Sequence, residues 1–150
     1  MKDLLDALVA AIPAGLAYLN WCGVIENELL APEGVAFPFA GLIDDGSVYQ
    51  SRPGKHDIEV LSVGVVAFQA IALDEPGASI VGSAAQLGDS GKGLLAIAAE
   101  LRTLLNDNFL TLEKLHFAHC ERWRASQSVT KSGDPWMTFK RLDFGYRRYV

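Results

Sequence analysis

The sequence is poor in the residues that usually announce chemistry. Only two cysteines, Cys22 and Cys120, and three histidines, His56, His116 and His119, occur in 150 residues. The cysteines lie outside any C-x-x-C spacing, which excludes a disulfide framework and a cysteine zinc site and fits a reducing compartment. No apolar run approaches the roughly 20 residues a membrane-crossing helix needs; the longest, Val60 to Leu73, is interrupted by Ser62 and Gln69. The first residues, MKDLLDALVAAIPAGLA, have the length of a signal peptide. Asp3 and Asp6 occupy the positions of its positive region and apolar run, so the segment reads as a mature helix. Internal repeats and low-complexity tracts are absent as well.

Charged residues make up 21% of the chain and apolar residues 50%, with a net charge of −5, a balance that excludes disorder and predicts one domain with one core. A mean hydropathy of +0.18 in so short a chain points to apolar surface covered by another subunit. The charge is unevenly placed. Up to Glu113 there are five basic and fifteen acidic residues, a net of −10; from Lys114 onward eight basic face three acidic, a net of +5. Such polarity suits head-to-tail contact or a polyanion, or gives a solvated final hairpin.

Apolar spacings of three and four predict a helix from Lys2 to about Leu19, kinked or split at Pro13. Val35 to Ile43 reads as a strand closed by a turn at Asp44-Asp45-Gly46, with Pro38 at its edge or start. Asp57 to Ala70, apolar on both alternating sides, reads as a central strand bent at Gly64. Leu73 to Asp89 reads as a long surface loop. Ser90 to Asn106 is an amphipathic helix capped by Ser90 or Asp89. Lys114 to Ser126 and Trp136 to Tyr149 make a hairpin around a polar tip, Lys131 to Pro135. The expected fold is α+β: a single domain over residues 1–150, with a mostly antiparallel sheet packed against an N-terminal helix and one central amphipathic helix.

Local strings that imitate active sites fail on their physics. Gly88-Asp89-Ser90-Gly91 matches the tetrapeptide around a trypsin-like nucleophile, yet it runs straight into a helix without the base and aspartate of a triad. Gly91-Lys92-Gly93 lacks the hydroxyl residue after the lysine and the glycine five positions before Gly91, where Gln86 stands, so it is no phosphate loop. His116, His119 and Cys120 do not converge on a regular strand, since His119 points away from the other two. Asp44-Asp45 are turn formers. No catalytic, cofactor or metal residue is expected, and the chain is read as a non-enzyme. The final segment, Phe139 to Tyr149, interleaves basic and aromatic residues and reads either as a nucleic-acid contact or as a sheet strand with a charged solvent face.

The N-terminal helix, the Phe37-Pro38-Phe39 strand, the long strand from His56 to Phe68, the helix Gly93 to Asn106, Leu115-His116-Phe117 and the last strand resemble, in order and size, the tail terminator (tail completion) proteins of long-tailed bacteriophages. The resemblance covers nearly the whole chain. It implies a structural virion protein, assembled in the host cytoplasm, that forms a homo-oligomeric ring, usually a hexamer. Such a ring caps the head-proximal end of the tail tube, ends its polymerisation and joins the tail to the neck. The implied partners are the protein itself, the tail tube protein, a neck or head-completion protein and, non-specifically, passing DNA, with no membrane and no cofactor. Residues for the assembly interface are Lys140, Arg141, Arg147, Arg148, Phe37 and Phe39. The competing readings are a neck or head-completion protein and a small-ligand or nucleic-acid binding module.

Overall fold

The computed structural model describes residues 1–87, 90–131 and 134–150. Helix α1 (Lys2–Gly15) is followed by strands β1 (Cys22–Val24), β2 (Phe39–Gln50) and β3 (Ile58–Ala70). Helices α2 (Ala78–Val81) and α3 (Leu94–Leu105) come next, and β4 (Leu115–Trp123), β5 (Gln127–Lys131) and β6 (Asp134–Tyr149) close the chain. The strands form one six-stranded sheet in the order β1-β2-β3-β6-β4, with β5 pairing the N-terminal half of β6 beside β4. Every pairing is antiparallel except β1 with β2. This is the expected α+β domain.

β3 is central, and its alternation sorts two cores. Leu61, Val63, Val65 and Ala67 face α1 and α3, where Leu4, Leu8, Ile12, Leu94, Ile97, Ala98 and Leu101 bury the helical stripes. Val66 and Phe68 face the other way, into an aromatic cluster with Phe39, Met137 and Phe139 that Trp21, Phe37 and Trp136 partly cover. From Val65 to Phe68 both faces are apolar because both are covered, as in sheets packed on two sides.

Several boundaries differ from the sequence expectation. α1 ends at Gly15, two residues after Pro13, and Leu16 and Leu19 are buried outside it; the proline stands in the last turn and does not split the helix. Val35 to Phe37 lie outside β2, which runs through Asp44-Asp45-Gly46 to Gln50. That triplet is a bulge within the strand, where the register shifts between Asp44 and Ser47 and Gly46 takes a φ of +94° that disfavours any side chain. Leu73 to Asp89 is no plain loop: it contains α2, whose Ser79 hydroxyl meets that of Thr138 at 3.1 Å. α3 starts at Leu94 behind Gly93, with no side-chain cap, so Ser90 does not cap it, and Asp89 lies outside the described residues. Beyond Trp123 the hairpin continues as β5, and β6 begins at Asp134, so less of the expected tip is turn; Ser132 and Gly133 lie outside the described residues.

Candidate functional site

The six residues expected at an interface separate once their surroundings are seen. Phe39 is fully buried, stacked between Phe37 at 5.2 Å and Phe68 at 4.8 Å, so it forms core and not surface. Phe37, half-buried, closes the same cluster against Trp136 at 6.2 Å. Lys140 is buried too. It donates to the Arg124 carbonyl at 2.5 Å and lies 5.3 Å over the Trp123 ring, and desolvation lowers its ammonium below the usual lysine range.

Arg141 is the most heavily engaged. Its guanidinium donates to Asp143 at 2.8 Å, to Glu28 at 2.9 Å and to Asp45, and Arg124 donates to Asp143 at 2.8 Å. The cluster joins the loop after β1, the β2 bulge and β6. Gly64 on β3 makes room for it, because a Cβ there would stand 2.7 Å from the Arg141 guanidinium carbon. Gly64, the glycine expected to bend β3, leaves space for a buried cation. Burial raises the carboxyl groups of Asp143 and Glu28, but hydrogen bonds from Arg124 and Arg141 overcome it and hold both below their ordinary values. Depressed carboxyl groups stabilise the fold above their unfolded values, and that stability is lost as pH falls through the folded ones. Urea midpoints are therefore expected to fall below about pH 4.5, and to fall less steeply for Glu28→Gln.

Arg148 is tied down as well. It donates to Glu59 at 2.5 Å and to Asp3 at 2.6 Å, linking β6, β3 and the first turn of α1. Of the six, Arg147 alone is an exposed cation, 4.6 Å over the Phe117 ring. A solvated charged face on the final strand is thus corrected: three of its four cations serve the fold.

Elsewhere, Lys92 pairs with Glu100, which also accepts from the Tyr18 hydroxyl, while the lysine stands 4.5 Å over the Tyr18 ring. The lysine therefore pins α3 to the segment after α1, and burial with the Glu100 contact raises the Tyr18 hydroxyl strongly. Tyr18→Phe is expected to cost about 1 kcal/mol in chemical denaturation, a single half-exposed hydrogen bond. Two bulges in β4, at Leu115/Phe117 and Cys120/Arg122, break the simple alternation. Leu115, Ala118 and Trp123 consequently pack toward the helices, and His116 stacks on Tyr149 at 4.1 Å. Among the described residues no group of three His, Cys, Asp or Glu side chains could hold a metal ion. Burial pushes the Cys22 thiol up to about 12, which makes it a packing residue.

No protein-family model matches this chain, and no curated protein matches it. Among the described residues no helix is long and apolar enough to cross a membrane.

Two surfaces remain unlike each other. On the β1 flank, exposed Val24 and Leu30 border a groove of about 450 Å³ lined also by Trp21, Ile25, Glu26 and Pro32, and exposed Leu29 borders a separate recess with Glu28, Arg124 and Arg141. On the sheet face away from the helices, the half beyond the Arg141 cluster is open; the paired row Val48, Val60, Arg147 and Phe117 crosses it.

Proposed function

We propose that the protein is a tail-terminator-type ring subunit, which caps the head-proximal end of a long-tailed phage's tail tube, halts its growth and presents a surface to the neck. The observation that carries this reading is the exposed apolar flank. Val24 is 52% and Leu30 55% exposed on one groove, and Leu29, next to Leu30 in sequence, is 69% exposed, on a chain whose helical and aromatic cores are already closed. Contiguous exposed apolar side chains mark contact surfaces, and a ring requires a subunit whose two contact surfaces differ. The element order from α1 to β6 and the unequal charge of the two chain parts support the same reading. On this reading the apolar flank takes the assembly role first given to the basic hairpin.

Native mass measurement, with and without growing tail tubes, tests it. Wild-type protein is expected to form a ring, a hexamer by the resemblance, and to give tubes of uniform length. Leu29→Asp/Leu30→Asp is expected to stay folded by circular dichroism and to remain monomeric at concentrations where the wild type assembles. Tubes of unrestricted length in the presence of wild-type protein would overturn the reading. A neck or head-completion protein would join heads to tails without altering tube length.

A further inference from the structure

The β2–β3 connection contains Arg52-Pro53-Gly54-Lys55. Proline presets the second turn position and glycine supplies the positive φ of the third, here +70°. The Lys55 N–H donates to the Arg52 carbonyl at 3.0 Å and closes the turn. A turn of this kind brings its first and last Cα atoms within about 7 Å, so two cations are held as neighbours. Both side chains are exposed, and among the described residues neither has a carboxylate partner; Asp57 accepts at 3.3 Å from the Arg52 backbone N–H and not from its guanidinium. Holding like charges together without a counter-charge costs free energy that an anion would recover.

The surroundings extend this pair. Arg52, Gly54, Lys55, His56 and Tyr149 line an open recess of about 680 Å³. His56 and His116 flank the Tyr149 ring at 5.8 and 4.1 Å. Two residues back on β6, and therefore on the same face of the strand, stands exposed Arg147.

We propose that the Arg52/Lys55 turn, with His56, Tyr149 and Arg147 beside it, is a contact site for the phosphate backbone of nucleic acid. An open recess with several separate cations suits a polyanion better than an enclosed small ion, and the aromatic edge adds a surface for sugar or base. The site is local: the chain as a whole carries −5, so attraction comes from this end of the sheet. The assignment of double-stranded DNA as the ligand rests on the ring reading, in which DNA passes through the opening; the chemistry of the site does not.

Fluorescence anisotropy with two labelled 30-base-pair duplexes of unrelated sequence tests it, over a series of salt concentrations. Wild-type protein is expected to bind both alike, with affinity falling linearly on logarithmic axes as salt rises. Arg52→Gln/Lys55→Gln is expected to bind at least tenfold more weakly at low salt and to lower the salt slope by about 2, one per lost phosphate contact. Arg147→Gln is expected to lower it by about 1. Among the described residues neither Arg52 nor Lys55 has an ion pair to lose, so the thermal midpoint of the double variant should not move, while Arg147→Gln gives up only its contact with the Phe117 ring. Absence of binding by the wild type, preference for one duplex, or an unchanged slope in the double variant would overturn the proposal. Tail-length control is read separately: a double variant that still caps tubes has lost only this site, and a wild type that binds duplex but never caps removes the ring reading instead.

Discussion

Arg141→Ala is expected to lose about 3–5 kcal/mol of stability, the cost of breaking a buried ion pair by removing one partner. Arg141 has three carboxylate partners, Asp143, Glu28 and Asp45, and its side chain is only 10% exposed. Truncation leaves those carboxylates near one another with Arg124 alone to meet Asp143, and the space above Gly64 empties. The loss should also be spatially selective. The guanidinium is the joint between the loop carrying Glu28, the bulge at Asp45 and the final strand, so hydrogen exchange in the variant should rise first around Glu28 and Asp44 and last in α3, which packs on the opposite face. Arg141→Met keeps most of the volume and still leaves the acids unpaired, so it should recover only part of the loss. A urea midpoint equal to wild type in both variants would show that desolvation of the cluster cancels its attraction.

This cluster also shows where sequence reading stops. Period-two alternation in β3 and the three-and-four spacing of α3 report directly which side chains meet a core, because burial of the whole face decides the pattern. The central strand, the helix stripe with Leu101 and the closing hairpin were legible for that reason. Lys140 and Arg141 were not, since a charged residue on a final strand reads as solvated unless its partners are known: for Arg141 they include Glu28 and Asp45, about 100 residues away in sequence, and for Lys140 the Arg124 carbonyl. The β2 bulge was misread for a related reason. Asp-Asp-Gly is a good turn string, and only pairing of Ser47 to Gln50 with Leu61 to Ile58 shows that the strand resumes beyond it.

The Arg52–Lys55 turn was missed despite a clear local signal. Pro-Gly between two basic residues specifies a tight turn with adjacent cations. What the string lacked was Tyr149, which β3–β6 pairing places opposite Ile58, next to the turn's exit. The exposed pair Leu29/Leu30 was likewise silent, because an apolar pair in an unpatterned segment is indistinguishable from core until the chain is folded.

Phe68→Ala is expected to cost about 3–5 kcal/mol, the range for truncating a buried aromatic side chain. Phe68 has no exposed surface, stacks on Phe39 at 4.8 Å and tilts against Phe139 at 6.1 Å. Aromatic pairs of this kind contribute about 0.5–1.5 kcal/mol beyond their buried area. Its ring is the floor on which Phe39 rests, with Phe37 stacked on Phe39 and Trp21 edge-on to it, so the segment from Trp21 to Phe37 depends on it for its seat. The helical core lies on the other side of the sheet and should repack little. Denaturant unfolding is therefore expected to show a large drop in midpoint, together with loss of near-ultraviolet dichroism from Trp21 and Trp136 while far-ultraviolet helicity persists at low denaturant. Val48→Ala, exposed on the open half of the same sheet face, should shift stability by no more than about 0.5 kcal/mol. If Phe68→Ala behaved like Val48→Ala, the aromatic cluster would be a covered surface without a role in holding the β1 flank, and the apolar groove beside Leu30 would have no rigid base from which to meet a neighbouring subunit.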